Sequence, residues 1–359
     1  MRKPGFFLAL FATCLAFVVV LLGAYTRLAH AGLGCPDWPG CYGFVHVPLT
    51  DEQLYQAAQR FPGMPVEAAK GWSEMIHRYC AGTLGLLIAM LALQAIKRRS
   101  EHQPLGLPLL LLTVLSAQAL FGMWTVTLRL WPQVVTVHLL GGFTTLSLLF
   151  LLTLRLSGRI STFYVPLRLC LLARAALVLV IAQIVLGGWV SSNYASMACL
   201  GLPTCNGAWW PSMDFSNGFH LSQHIGPNYL GGQLDNEART AIHFSHRLGA
   251  IAVSAAVLML TWQLLHNGLG KMASLLLVLL TLQVCLGLSN VVFLMPLRIA
   301  VAHNGGGALL MLALVLVNFR LRAMRREIGE RTLYWTAIPV WSRTCWRHSL
   351  RPLLRLIRQ

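Results

Sequence analysis

Eight apolar stretches, each of roughly 18 or more residues, constrain this chain before any other feature, because each is long enough to cross a hydrocarbon core about 30 Å thick. Their limits fall near 6–26, 72–96, 106–127, 132–154, 168–190, 240–265, 272–294 and 298–319. The 359 residues are 56% hydrophobic and only 11% charged, a composition far from that of a soluble globular chain. The expected fold class is therefore an all-α, multi-pass membrane protein. The first stretch follows Arg2-Lys3 and precedes Ala29-His30-Ala31, as a signal peptide would, but its apolar run exceeds the 7–15 residues of a signal core. It is read as a retained helix.

A net charge of +17 suggests nucleic acid until the basic residues are placed. Arg2 and Lys3, then Lys97, Arg98 and Arg99, then Arg155, Arg159 and Arg168, then Lys271, and finally a tail from Arg320 to Arg358 alternate with acidic or nearly neutral loops. That asymmetry puts both termini in the cytoplasm. The tail is expected to meet anionic lipid headgroups, at about 1 kcal/mol per basic residue, and nucleic acid is excluded as a partner.

The chain repeats itself. Gly23-Ala24-Tyr25-Thr26-Arg27-Leu28 with Cys35 and Cys41 corresponds to Gly187-Gly188-Trp189-Val190-Ser191-Ser192 with Cys199 and Cys205. His77-Arg78 corresponds to His246-Arg247, Ala117-Gln118 through Gly122 to Leu282-Gln283 through Gly287, and His138 with Gly141-Gly142 to His303 with Gly305-Gly306. Each unit holds an even number of spans, so the halves share one orientation. The expectation is two tandem four-helix bundles related by a pseudo-twofold axis along the membrane normal. The boundary falls near 155–168, giving an N-terminal half at 1–160, a C-terminal half at 161–322 and a basic tail at 323–359.

Ionisable residues inside apolar spans are costly, which makes them functional candidates. His77, His138, His246 and His303 all lie within about two turns of a helix start on the outer side, roughly 10 Å or less below that interface at 1.5 Å per residue. Two histidines from facing helices suit the two axial positions of a haem iron, with apolar walls for the macrocycle. The glycines after His138 and His303 would let a flat ring approach a helix, and Arg78 and Arg247 are candidates for its propionates. Helix packing is the bland alternative for any one of these histidines, and four at corresponding positions weigh against it. A zinc site lacks a third clustered ligand in each half, since Glu74, which could serve in one half, is replaced by His243 in the other.

Glu74 is either a proton acceptor in a semi-apolar setting or the ion-pair partner of Arg78, four residues on. Cys35 with Cys41 and Cys199 with Cys205 lie in loops expected to face an oxidising compartment, where a short disulfide is the plain expectation for each pair. A redox role is open for the first pair. Cys14, Cys80, Cys170, Cys285 and Cys345 are read as packing residues. His30, His46, His220 and His224 in the outer loops, and His102, His266 and His348 on the other side, are assigned no role. Residues 42–71 and 206–239 are outer loops with room for short amphipathic pieces that cap the sites.

Taken together, residues 23–41, the Glu74-x-x-His77-Arg78 element, His138, His246-Arg247, His303 and the duplicated cysteines resemble the haem A synthase family, across roughly residues 6–320. The resemblance implies an enzyme of the bacterial inner membrane that oxidises the C8 methyl of haem O to a formyl group by successive hydroxylations, giving haem A for terminal oxidase. It implies that His77 and His138 hold the substrate haem O and that His246 and His303 ligate a permanent haem b. Glu74 would be the essential acid, and Cys35 and Cys41 would be joined. Delivery by haem O synthase, an electron acceptor of unidentified kind and room for a homo-oligomer belong to the same expectation. A dihaem b-type electron-transfer protein would also explain four histidines, but not a carboxylate in one half alone. A transporter would need ionisable groups near the midplane.

Overall fold

The computed structural model describes residues 2–99, 105–158 and 160–324. Expectations placed on Arg159, His102, His348, Cys345 and the tail beyond 324 lie outside the described residues. Eight helices are long and apolar enough to cross a membrane: α1 (Phe6–Leu28), α3 (Ala68–Lys97), α4 (Gly106–Thr127), α5 (Pro132–Ser157), α6 (Leu167–Ser192), α8 (Asn236–His266), α9 (Gly270–Val292) and α10 (Leu297–Arg320). Two short helices occupy the long connections, α2 (Asp51–Arg60) and α7 (Phe215–Gly218). The chain is a multi-pass membrane protein.

The bounds differ most from expectation where polar residues continue a helix. α3 and α8 begin at Ala68 and Asn236 rather than at 72 and 240, because segments such as Asn236-Glu237-Ala238-Arg239 are sound helix formers that hydropathy passes over. Pro132 starts α5 at its first turn, where its missing N–H leaves no bond unmade. Thr50 and Gln53 close a capping box on α2. A parallel pair of strands, β1 (Phe163–Val165) and β2 (Leu321–Ala323), was not expected; it ties the basic linker to the end of α10. The residue before Pro166 is held extended by the proline ring, which favours a strand there.

Within residues up to the linker, α1 packs on α3 and α5, and α4 on α3 and α5; after it, α6 packs on α8 and α10, and α9 on α8 and α10. The two sets meet through α1 with α10, α5 with α6, and α5 with α10. Apolar side chains gain little by leaving lipid for protein, so close fit and polar contacts decide such packing. Ala9, Ala12 and Ala16 are buried and bring α1 near its neighbours, while Thr13 and Thr153 bond across α1 and α5 at 3.0 Å. Across α6 and α10, Asn318 donates to the Ala173 carbonyl at 3.0 Å.

Buried apolar residues gather in the halves of the helices nearest the linker: Ile88, Leu111, Leu146, Leu149, Leu260, Leu276 and Leu314 belong to one cluster. The other ends, which lead into the long connections, are where His77, His138, His246 and His303 sit, each half-buried. Two disulfides, Cys35–Cys41 and Cys199–Cys205, close loops at that end. Left-handed backbone recurs at matching places: His30 and Tyr194, Tyr42 and Asn206, Arg129 and Leu294, Leu130 and Met295.

Candidate functional site

α3 carries Glu74, His77 and Arg78 at spacings of three and four, which sets them on one helix face. Glu74 is buried; its Oε1 accepts from Arg78 at 2.5 Å and its Oε2 from the Cys35 N–H at 3.0 Å. The same Arg78 donates to the carbonyls of Asp37 (3.0 Å), Pro39 (3.2 Å) and Gly40. Asp37 in turn accepts from the N–H groups of Tyr42 and Gly43, at 2.6 and 2.7 Å. The disulfide loop is thus wound around a guanidinium that is itself neutralised by Glu74. Beside it, burial first and then the charges of Glu67, Asp37 and Glu74 hold the Tyr42 phenol above its usual pKa.

α8 repeats part of this arrangement. Arg247 donates to the carbonyls of Gly201 (3.0 Å), Thr204 (3.1 Å) and Cys199. Asn206 closes this loop from its other end, accepting from Leu200 N–H at 2.9 Å and donating to the Ala198 carbonyl at 2.8 Å. No carboxylate faces Arg247 among the described residues; His243 stands where Glu74 stands, buried, with Nδ1 unpartnered. Both arginines therefore have loop carbonyls as partners, an assignment that helix periodicity gave no hint of. The ion pair of Glu74 with Arg78 is present, so that plainer reading of Glu74 describes a real contact.

Each of the four histidines rests against a glycine of the neighbouring helix. A Cβ built on Gly23 of α1 would lie 3.0 Å from His77 Cε1, and on Gly122 of α4 3.3 Å from His138 Cε1. Gly187 of α6 stands in the same relation to His246 at 3.2 Å, and Gly287 of α9 to His303 at 3.1 Å. Any larger residue would push the imidazole inward. His77 and His138 lie within electrostatic range of each other, as do His246 and His303.

The glycines after His138 and His303 do not offer the open face for a flat ring that the sequence suggested. Gly141 receives the Gln118 side chain and Gly306 that of Gln283, with Oε1 2.1 and 2.3 Å from where a Cβ would be. Gly305 packs against Leu21 of α1. Sequence reasoning missed these glutamines as site residues. The signal was present, since Gln118, Gln183 and Gln283 each stand four residues before one of the glycines that face a histidine.

The donor set suits a haem. Among the described residues no three His, Cys, Asp or Glu side chains converge, whereas a zinc site needs three or four ligands. Imidazoles in pairs fit the two axial positions of a porphyrin iron. Nδ1 of His77, His138 and His303 is buried and unpartnered, and burying such a group unpaired is costly.

The second long connection crosses onto the first set of helices. Trp131 Nε1 donates to the Gln223 carbonyl at 3.1 Å, Gln133 to that of Leu221 at 2.9 Å, and Tyr229 N–H to that of Arg129 at 3.0 Å. Arg27, at the end of α1, reaches the other way, to the Tyr194 hydroxyl (2.5 Å) and the Ser191 carbonyl (2.6 Å), with its guanidinium 4.1 Å above the Tyr194 ring.

Residues 7–315 match the family COX15-CtaA, described as cytochrome oxidase assembly protein. The chain is 48% identical over 307 residues to the Heme A synthase of Shewanella oneidensis, an overlap of 85% of this chain and 92% of that one. It is 30% identical over 342 residues to the Heme A synthase of Nitrosospira multiformis (87% and 92%) and 27% over 345 residues to that of Mesorhizobium japonicum (88% and 88%).

Proposed function

We infer the function of this chain from its family: it belongs to the cytochrome oxidase assembly proteins, COX15-CtaA. It is an enzyme that converts haem O to haem A, an oxidation of a methyl group to a formyl group. We propose that His77 and His138 hold the substrate haem in an N-terminal half (1–160), and that His246 and His303 ligate a resident haem b in a C-terminal half (161–322). The observation that carries this division is the single carboxylate: Glu74 stands beside one imidazole pair, while His243 takes its place beside the other.

Haem b, when bound, supplies a one-electron relay. The protein's part is to hold and to take protons. Glu74 is the base nearest the substrate half; its carboxylate is oriented at both oxygens, by Arg78 and by the Cys35 N–H, so it is aimed before substrate arrives. Arg78 and Arg247 keep the two disulfide loops closed over the helix ends through backbone carbonyls, and Arg78 also pairs with Glu74. Water is limited by those loops and by the crossing connection at Trp131 and Gln133.

In this reading the two halves are four-helix bundles related by a pseudo-twofold axis along the membrane normal. The matching sets of packed helices, the matching left-handed residues and the stack of His30 on Tyr194, with ring centroids 5.5 Å apart, all support this. The charge pattern supports an inner-membrane protein with both termini in the cytoplasm and the histidines near the outer face. Substrate would then come from a haem O synthase in the same membrane, and electrons would leave to a separate acceptor.

The test is extraction and identification of haems from the purified protein, made with and without a haem O supply. Haem b alone without the supply, joined by haem O and its formyl product with it, is the expected result. Two haem b per chain under both conditions would overturn the assignment in favour of an electron-transfer protein.

A further inference from the structure

Three of the four histidines are held by a glutamine from the neighbouring helix, and one is not. Gln118 Nε2 donates to the His138 carbonyl at 3.0 Å. Gln183 Nε2 donates to the His246 carbonyl at 2.8 Å and lies 3.0 Å from its Nδ1. Gln283 Nε2 lies 3.4 Å from His303 Nε2. Each amide fits a slot that glycine leaves open one turn beyond the histidine. A Cβ on Gly141, Gly249 or Gly306 would sit 2.1, 2.1 or 2.3 Å from the glutamine Oε1, closer than any real contact.

At His77 both halves of this device are missing. The residue four before Gly23 is Val19, and one turn beyond His77 stands Cys80. Val19 offers its backbone to the ring but no side-chain amide. A slot, a wedge and a histidine thus occur together three times, and their simultaneous loss at one position separates the two pairs. His246 and His303 are both tethered, whereas only His138 is tethered in the other pair.

We propose that Gln118, Gln183 and Gln283 are positioning residues that fix their histidines for iron ligation, and that His77, lacking such a tether, is the exchangeable ligand through which haem enters and leaves the N-terminal half. This rests on the assignment of the four histidines as haem ligands made above. Its physical content is entropic and local. A histidine whose helix backbone is held, as at His138 and His246, or whose ring is held, as at His246 and His303, loses less freedom on ligation than one with neither hold, which must be ordered each time and is released more easily. A permanent cofactor calls for two pinned ligands. A substrate that must leave as product is served by one pinned and one free.

The experiment is haem transfer from the purified, haem-loaded protein to excess apomyoglobin, followed by absorbance, with haem O and haem A told from haem b by their pyridine haemochrome spectra. In the unaltered protein haem O and haem A leave at least about tenfold faster than haem b. Building the missing tether with Val19→Gln and Cys80→Gly slows the fast phase about three- to tenfold, the worth of one hydrogen bond, and leaves haem b unchanged. Gln183→Leu, or Gly249→Ala, which expels the Gln183 amide by sterics alone, speeds loss of haem b by a similar factor and changes its low-spin electron paramagnetic resonance signal. Gln118→Leu leaves that signal as it was.

Equal release of both haem types, or a fast phase untouched by the double variant when haem content is normal, overturns the proposal. If the double variant does not assemble, Gln183→Leu and Gly249→Ala decide alone, and unchanged retention of haem b in both overturns it. Finding haem b in both halves would sink the synthase assignment but not this one, provided transfer stays biphasic and the tether slows the fast phase.

Discussion

At the head of α3 a carboxylate faces a guanidinium; at the head of α8 an imidazole stands in the carboxylate's place, and among the described residues the guanidinium holds its loop without an acidic partner. The loops themselves are alike, each with a disulfide and each gripped by an arginine through backbone carbonyls. What the two sets of helices share is the arginine-held loop, and what they do not share is a carboxylate, since the group in its place at α8 is the His243 imidazole. Histidines stand at corresponding places in both sets of helices, whereas among the described residues a carboxylate faces the arginine of α3 alone, and the proposed division of labour rests on that difference.

The largest effect that would break this comparison is loss of a ligand. His246→Ala should abolish the low-spin haem b spectrum, while His77→Ala leaves haem b bound and stops substrate conversion. If His77→Ala removed haem b instead, the roles of the halves would be reversed. Next comes the carboxylate. Glu74→Gln should cut conversion of haem O by about 100-fold or more at unchanged haem content, the scale of a lost general base, whereas His243→Gln leaves the rate within a few-fold. Equal losses from both changes would erase the asymmetry.

Smaller effects sharpen the likeness. Replacing Cys199 and Cys205 by serine should lower stability by about 2 kcal/mol, as expected for a loop this short, read as a shift in thermal melting. Gly34→Ala should cost about 1–3 kcal/mol by the same measurement, since the new Cβ would meet the Lys70 carbonyl carbon at 2.6 Å. In the other half Ala198 occupies the corresponding position naturally, so a harmless Gly34→Ala would mean the two loops approach their helices identically. Smallest is Tyr194→Phe, which removes the hydroxyl that Arg27 contacts and should cost about 1 kcal/mol without altering haem content.

Much of this molecule was legible in the chain. Long apolar runs have few outcomes, because backbone groups in lipid must pair within the segment, and so the eight helices followed within a few residues. Histidine is expensive in such runs, which singled out His77, His138, His246 and His303. Both cysteine pairs were legible from their matched spacing together with their place in loops expected to face an oxidising compartment. Less legible were the helix starts at Ala68 and Asn236, where polar residues extend a helix beyond the hydrocarbon, and the strand pair, whose partners Phe163 and Leu321 lie in separate parts of the sequence.

The sequence by itself determined which residues could afford to be in the membrane and in what order they recur, since both follow from local transfer costs and from repetition. Tertiary structure decided what those residues touch. That Arg78 and Arg247 are spent on loop carbonyls, that Gly141 and Gly306 take in glutamines rather than facing a ring, and that Val19 leaves His77 without an amide depend on which helix faces meet. Helix faces meet according to fit between side chains far apart in the chain, and in a membrane, where hydrophobicity no longer tells one face from another, only that fit chooses.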